Sequence, residues 1–435
     1  MGFAIAELPS RIERARYWYR SPVLLVGAWI VSIAVLAAWS AHLFHTAPDA
    51  FIDLRVYRLG VQGWWHGVDI YGPLPKAAGF DLPYVYPPIS VLVLGPLGAV
   101  SWAHAIVATI TVSQALMGIA LYLTFLRIWP GAGKRGALLA TAALLPASLL
   151  LEPVSGNLAF GQVNTALMAL VVIDCLALRL PLPRGVLIGI AAAIKLTPLV
   201  VLLYFLVRKE YRSAIWMAGT AAVLTVIGFV VSWTGSLHYW FGSSGGARAI
   251  SASAYFTNQT IDGMLTRWAL PHLVQSGLWL LLSLALAAIA AIGIRRATRI
   301  GDTALAVVII GALGLMISPT SWSYHWVYVA PALVVLAGQT WRNRAALAGL
   351  AWGVATVLVA ITFWDAPFKT LPHLNNLAMK WTFWQWFPGN SYVLLGAALL
   401  VVFAAPEVRP TLRALRRTVL HRWDAQRERA GITGR

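Results

Sequence analysis

Cysteine is almost absent: Cys175 is the only one in 435 residues. No intrachain disulfide can form, and a thiol late in an apolar run reads as buried and inert. The redox compartment is therefore unreadable. Charge is also scarce, at 11% of residues, with 15 acids against 33 Lys and Arg. No separate soluble domain stands out from the apolar runs, and no internal repeat is visible. Missing too are a Walker loop, a zinc-ligand pattern, a G-x-S-x-G elbow and a dinucleotide fingerprint, which removes the familiar soluble chemistries.

What is abundant is apolar length. The chain is 59% hydrophobic, with many runs long enough to cross a hydrocarbon core of about 30 Å. It reads as an all-α polytopic membrane protein. The net charge of +18 does not indicate nucleic acid, because the cations sit in short clusters between apolar runs and at the chain ends. That is the pattern of cytoplasmic loops facing anionic headgroups. No cleavable leader is read in the basic first twenty residues, so the run from Val23 is taken as an uncleaved first span.

Positive-inside counting starts from "RIERARYWYR" (11–20), which places the N-terminus in the cytoplasm and Asp53 outside. If 86–102 and 184–207 were both complete spans, Arg127, Lys134, Arg135, Arg179 and Arg184 would all fall outside. Reading 86–102, rich in Pro and Gly, as re-entrant or interfacial, and 184–207 as a helix pair broken at "KLTP", returns all five inside. Ten full spans and two broken elements follow, about 12 helices if the broken ones count. Broken backbone at membrane depth is tolerated where it lines a cavity. The domain is expected to cover 1–407, with outer loops at 44–85, 234–273 and 364–389, shorter outer segments at 152–160 and 319–325, and a basic cytoplasmic tail at 408–435.

Ionisable and amide residues near membrane depth are costly and become candidates. In "FIDLRVY" (51–57), the apolar positions suit a short interfacial helix that leaves Asp53 and Arg55 free to point elsewhere. A helix-end acid, or a local pair with Arg55, is the plainer alternative. Asp69 reads as a turn residue. Lys195 is flanked by apolar residues, so it either snorkels, pairs with a carboxylate, or holds an anionic group such as phosphate beside the break at Pro198. Glu152, Gln162 and Asn164 cluster between two spans, where amides also bridge helices. Asn258 and Gln259 sit near Asp262 and Arg267, in a stretch that also fits a glycosylation sequon. His325 is framed by Trp322, Tyr324 and Trp326.

Several stretches together resemble one family. "IDLRVY", "GVDIYG", "YVYPPISVLVLGPL", "FGQVNTALMALVVID", "AAAIKLTPLVVLLYFLVRKEYRSA", "NQTIDGMLTR" and "ISPTSWSYHWVYVAPAL" look like successive blocks of glycosyltransferase family 87. These enzymes have the GT-C fold and use polyprenyl-phosphate sugars. The blocks run in family order from Asp53 to about residue 335. The resemblance implies transfer of mannose from polyprenyl-phosphate-mannose to a phosphatidylinositol mannoside in an α-1,2 linkage, with inversion, on the outer face of the plasma membrane. It also implies an acid of the first outer loop as catalytic base, which matches Asp53. Many GT-C relatives carry paired acids and a divalent metal in that loop; Asp53 has no adjacent acid, so no metal or other cofactor is expected.

An inverting transfer needs a base on one face of the sugar and cations or donors on the other. Asp53 is the expected base and His325 its support. Lys195, helped by Gln162 or Tyr86, is expected to receive the phosphate, and Trp322, Trp364 and Trp384 suit sugar stacking or an interfacial belt. Alternatives are a lipomannan-branching mannosyltransferase or arabinofuranosyltransferase of the same family, a lipid-linked sugar flippase, or a lipid-binding scaffold.

Overall fold

The structure, a computed structural model, describes residues 21–46, 51–242, 253–344 and 347–405. The basic N-terminal segment, the tail at 408–435 and part of the 234–273 loop lie outside the described residues. Helices account for nearly all the regular structure. They are α1 (Pro22–Thr46), α2 (Ile52–Trp65), α3 (Ser90–Ala99), α4 (Trp102–Ile128), α5 (Gly133–Ser148), α6 (Glu152–Phe160), α7 (Asn164–Leu176), α8 (Val186–Ile194) and α9 (Val201–Val207). They continue as α10 (Tyr211–Val231), α11 (Trp233–Phe241), α12 (Ile261–Thr266), α13 (His272–Arg299), α14 (Thr303–Ile317), α15 (Val329–Arg342), α16 (Leu347–Asp365), α17 (Phe383–Gly389) and α18 (Ser391–Ala404). Two isolated bridges, Ala77 to Phe80 and Asn258 to Trp322, lie outside any named strand.

Among the described residues five helices, α1, α4, α10, α13 and α16, are long and apolar enough to cross a membrane, or up to seven if two bent pairs each count as one span. The protein is a multi-pass membrane protein. Ser90–Ala99, Asn164–Leu176, Thr197–Val207 and Thr303–Ile317 are shorter apolar helices. The sequence reading placed two breaks, and both are present. Segment 86–102 contains only the ten-residue α3, about 15 Å long and so half a hydrocarbon core. Segment 184–207 breaks at Lys195, whose backbone is extended (φ −151°, ψ 132°) between α8 and the 3-10 turn Thr197–Val200. Pro198 in that turn has no N–H to continue the helical ladder.

Two further bends were not expected. Pro130–Ser148 meets Glu152–Phe160 at 73°, and Phe383–Gly389 meets Ser391–Ala404 at 73°. Pro146 in the last turn of α5 and Pro388 in that of α17 mark both places. Residues 152–160, read as a short outer segment, form a helix of their own.

Burial separates the inside of the bundle from its outside. α1 buries only Ser32, Leu36 and Leu43 along 25 residues, an exposure that water would not tolerate and lipid does. α14 buries twelve of its fifteen residues. It packs against α13, α7 and the 3-10 turn at Thr197–Val200, and Cys175 is fully buried in α7.

Candidate active site

The site is assembled where the start of α2 meets the end of α6. Phe51, fully buried, adopts a left-handed conformation (φ 65°) and donates its N–H to the Ala159 carbonyl at 2.7 Å. Gly161 closes α6 with φ 68°, and a Cβ there would stand 2.7 Å from the Leu54 Cβ. Glycine is required on both counts. This knot sets Asp53, in the first turn of α2, beside Gln162. The four-residue spacing puts Tyr57 on the same helix face as Asp53.

Gln162 is fixed by its neighbours. The Tyr57 and Tyr86 hydroxyls lie 2.8 Å apart, and they approach its Oε1 at 2.9 and 3.1 Å. Asn164 Nδ2 donates to the same oxygen at 3.1 Å. Because Oε1 is committed to these donors, the amide NH2 is left to serve Asp53. Beneath, Asn157 is fully buried and donates to the Gln162 carbonyl and to Thr165, so it holds the α6 to α7 junction.

Asp53 is half-buried, but its Oδ2 is sealed and holds no hydrogen bond. Burial raises its pKa to about 6, against the opposing pull of the Gln162 amide, the Lys195 charge and the Tyr324 hydroxyl. A carboxylate at that value is ionised at neutral pH and far more basic than a surface aspartate.

Lys195 emerges at the helix break. Its Nζ donates to Asn164 Oδ1 at 2.8 Å, lies 3.5 Å from His325 Nε2, and sits 5.5 Å over the Tyr86 ring. His325 ends the 3-10 turn Ser323–His325 that follows α14. Burial first, and Lys195 second, hold its pKa well below the usual histidine range. A neutral imidazole facing an ammonium presents a lone pair. The sequence reading gave His325 the task of steadying Asp53; its ring instead meets Lys195, and the side chain of this turn that bears on Asp53 is Tyr324. Tyr324 is in turn stacked on Phe160 at 4.2 Å.

Asp53, Tyr86, Gln162, Asn164, Lys195, Tyr324 and His325 are thus one constellation, drawn from 53 to 325 across the chain. Glu152 stands behind it, its carboxylate occupied by Ser323, Tyr392 and Lys369. Asn258 and Gln259 are fully buried, and their amides are committed largely to backbone: Asn258 to Ser253, Pro319 and Ser321, Gln259 to Phe256, Gly389 and Tyr392. They frame the loop rather than face the constellation. Trp322 pairs with Asn258 and lies edge-on to Tyr255, and the Arg55 guanidinium lies 4.5 Å over the Trp102 ring. Asp69 makes the turn expected of it, accepting the Tyr71 N–H.

Next to Lys195, Asn164 and His325, an open cleft continues along Leu167, Met168, Val200, Val201 and Leu315. One end is polar and the rest apolar. Among the described residues no group of three or more His, Cys, Asp and Glu gathers. The Asp53 carboxylate faces two hydrogen-bond donors and an ammonium.

Comparison with known proteins places the chain in a family. The model of glycosyltransferase family 87 matches residues 84–319, more than half of the 435. The chain belongs to glycosyltransferase family 87. A relative from Mycobacterium tuberculosis, a polyprenol-phosphate-mannose-dependent alpha-(1-2)-phosphatidylinositol mannoside mannosyltransferase, is 35% identical over 91% of this chain and 92% of its own length. Its counterpart from Mycolicibacterium smegmatis is 37% identical over 81% of this chain and 83% of its own. A Mycobacterium tuberculosis pentamannoside mannosyltransferase is 28% identical over 89% and 88%. No solved structure matches the chain. This family 87 member is a glycosyltransferase with the GT-C membrane fold.

Tyr57, Asn157, Ser323, Tyr392 and Lys369 were not singled out by sequence. For Tyr57 a signal existed, since it follows Asp53 by one helical turn. The others are ordinary residues whose roles come from tertiary contact.

Proposed function

We propose that this glycosyltransferase transfers mannose from polyprenyl-phosphate-mannose to a phosphatidylinositol mannoside, forming an α-1,2 linkage with inversion. The observation that carries the reading is the sealed, unpartnered Oδ2 of Asp53, which feels the charge of Lys195, itself in the lining of a largely apolar cleft.

In this reading the acceptor hydroxyl gives its proton to Asp53 as its oxygen bonds the anomeric carbon. The bond from that carbon to the phosphate oxygen breaks, and the electron pair leaves with the polyprenyl phosphate. Lys195, oriented by Asn164 and by the His325 lone pair, offsets the charge developing on that phosphate. Tyr57, Tyr86 and Asn164 hold Gln162 so that its amide keeps Asp53 in place. The apolar length of the cleft suits an isoprenoid chain, and the donor and acceptor tails remain in the bilayer while their head groups meet at Asp53. No metal takes part.

The site is proposed to open on the outer leaflet, with both termini cytoplasmic and one membrane domain spanning 1–407. The positive-inside count supports this reading. The purified protein, given polyprenyl-phosphate-mannose and a phosphatidylinositol mannoside, should yield a product whose new linkage is α-1,2 by NMR. Transfer of arabinofuranose in preference to mannose would overturn the sugar assignment. Movement of an intact lipid-linked sugar across vesicles, without transfer, would favour the carrier.

A further inference from the structure

Residues Glu152, Gly156 and Phe160 follow one another at four-residue spacing along α6, so they share a helix face. All three bear on the turn that carries Tyr324 and His325. Glu152 Oε1 accepts the Ser323 hydroxyl at 2.8 Å. A Cβ on Gly156 would come within 3.1 Å of the Tyr324 Cβ, so glycine admits the turn at that distance. Phe160 stacks on the Tyr324 ring at 4.2 Å. The far end of the same helix ties down α2 through the hydrogen bond from Phe51 to Ala159. One face of α6 therefore registers Tyr324 and His325 against Asp53.

The charge on that face is anchored from elsewhere. Tyr392, fully buried at the start of α18, donates to Glu152 Oε2 at 3.0 Å, and Lys369 meets Oε1 at 2.7 Å. Both carboxylate oxygens are thus held by protein donors, and the buried Glu152 faces the protein rather than a substrate. We propose that Glu152 is a positioning residue, which sets the Ser323–His325 turn through Ser323 and thereby places Tyr324 and His325 for the reaction without touching substrate. The proposal rests on Asp53 acting as the base.

The test is steady-state mannose transfer by the full chain in detergent, with Glu152→Ala, Glu152→Gln, Ser323→Ala and the Glu152→Ala/Ser323→Ala double variant. A displacement of about 1 Å at reacting groups costs about 10²-fold, so Glu152→Ala should lower kcat by roughly 30- to 100-fold with the KM of both substrates nearly unchanged. Glu152→Gln should recover most of the rate, because an amide oxygen still accepts from Ser323 and its NH2 can donate to the Tyr392 oxygen. The double variant should be no worse than Glu152→Ala, since both remove one link.

A rise in KM at unchanged kcat would make Glu152 a substrate contact and overturn the proposal, as would additive losses in the double variant. Should Glu152→Ala not fold, Ser323→Ala, which deletes a single hydroxyl, decides: an unaltered kcat refutes the link. Wild-type transfer with unaffected Glu152 variants defeats this inference alone. Absence of transfer by the wild type removes the Asp53 reading and this one with it.

Discussion

Replacing Gln162 by leucine removes the largest influence that lowers the Asp53 pKa, while keeping the side-chain volume similar. Asp53 stands at about 6 because burial raises it and Gln162, Lys195 and Tyr324 pull it back. A hydrogen bond to a charged group contributes about 1.5–3 kcal/mol, and about 1.4 kcal/mol corresponds to one pKa unit, so its loss should carry the pKa to about 7 or above. A base must be ionised to accept a proton, so kcat/KM falls as pH drops through that value. At pH 6.5 the ionised fraction goes from about three-quarters to about one-quarter, a roughly threefold loss beyond any constant effect on geometry. Near pH 8.5 the variant should regain this factor. Initial rates at limiting donor from pH 5 to 9 would show the acid limb moved to higher pH. An acid limb at the same pH in both proteins refutes the link between Gln162 and the titrating group.

Lys195→Met should lower kcat about 10²-fold or more, the usual cost of removing a preorganised partner of a developing charge; unchanged kcat would release Lys195 from the phosphate. Gly161→Ala should destabilise the fold by about 2 kcal/mol or more, since left-handed strain adds to the close approach of Leu54. A thermal unfolding scan in detergent checks this, and an unaltered Tm contradicts it. Chelation with EDTA should leave transfer unaffected, as Asp53 lies among donors and an ammonium; abolition reversed by magnesium or manganese would contradict the metal-free mechanism.

Much of the architecture was readable because its causes are local. A lysine inside an apolar run, followed within three residues by proline, points to a helix break beside a cavity, and Lys195 lies at both. The short α3 follows in the same way from the prolines that open and interrupt 86–102. Asp53, Gln162, Asn164 and Lys195 were legible as costly polar groups near membrane depth. Their pairing was not. That His325 meets Lys195 while Tyr324 bears on Asp53 depends on the rotation of a three-residue turn, which no periodicity encodes. The bend at 149–151 was missed because Pro146 and Pro153 sit where helices tolerate them, near an end and in a first turn. Asn258 and Gln259 carry the same residue types as Gln162 and Asn164. Their use in fixing backbone at Ser321, Gly389 and Tyr392 comes only with the fold.

The central claim is that the carboxylate of Asp53 takes the acceptor's proton. Wild type and Asp53→Asn, each monodisperse in detergent, should be compared for mannose transfer from polyprenyl-phosphate-mannose to a phosphatidylinositol mannoside. The account predicts steady transfer by the wild type and a loss of about 10³-fold or more in the variant, which keeps the shape and removes the base. Transfer by Asp53→Asn at a rate near that of the wild type would contradict it.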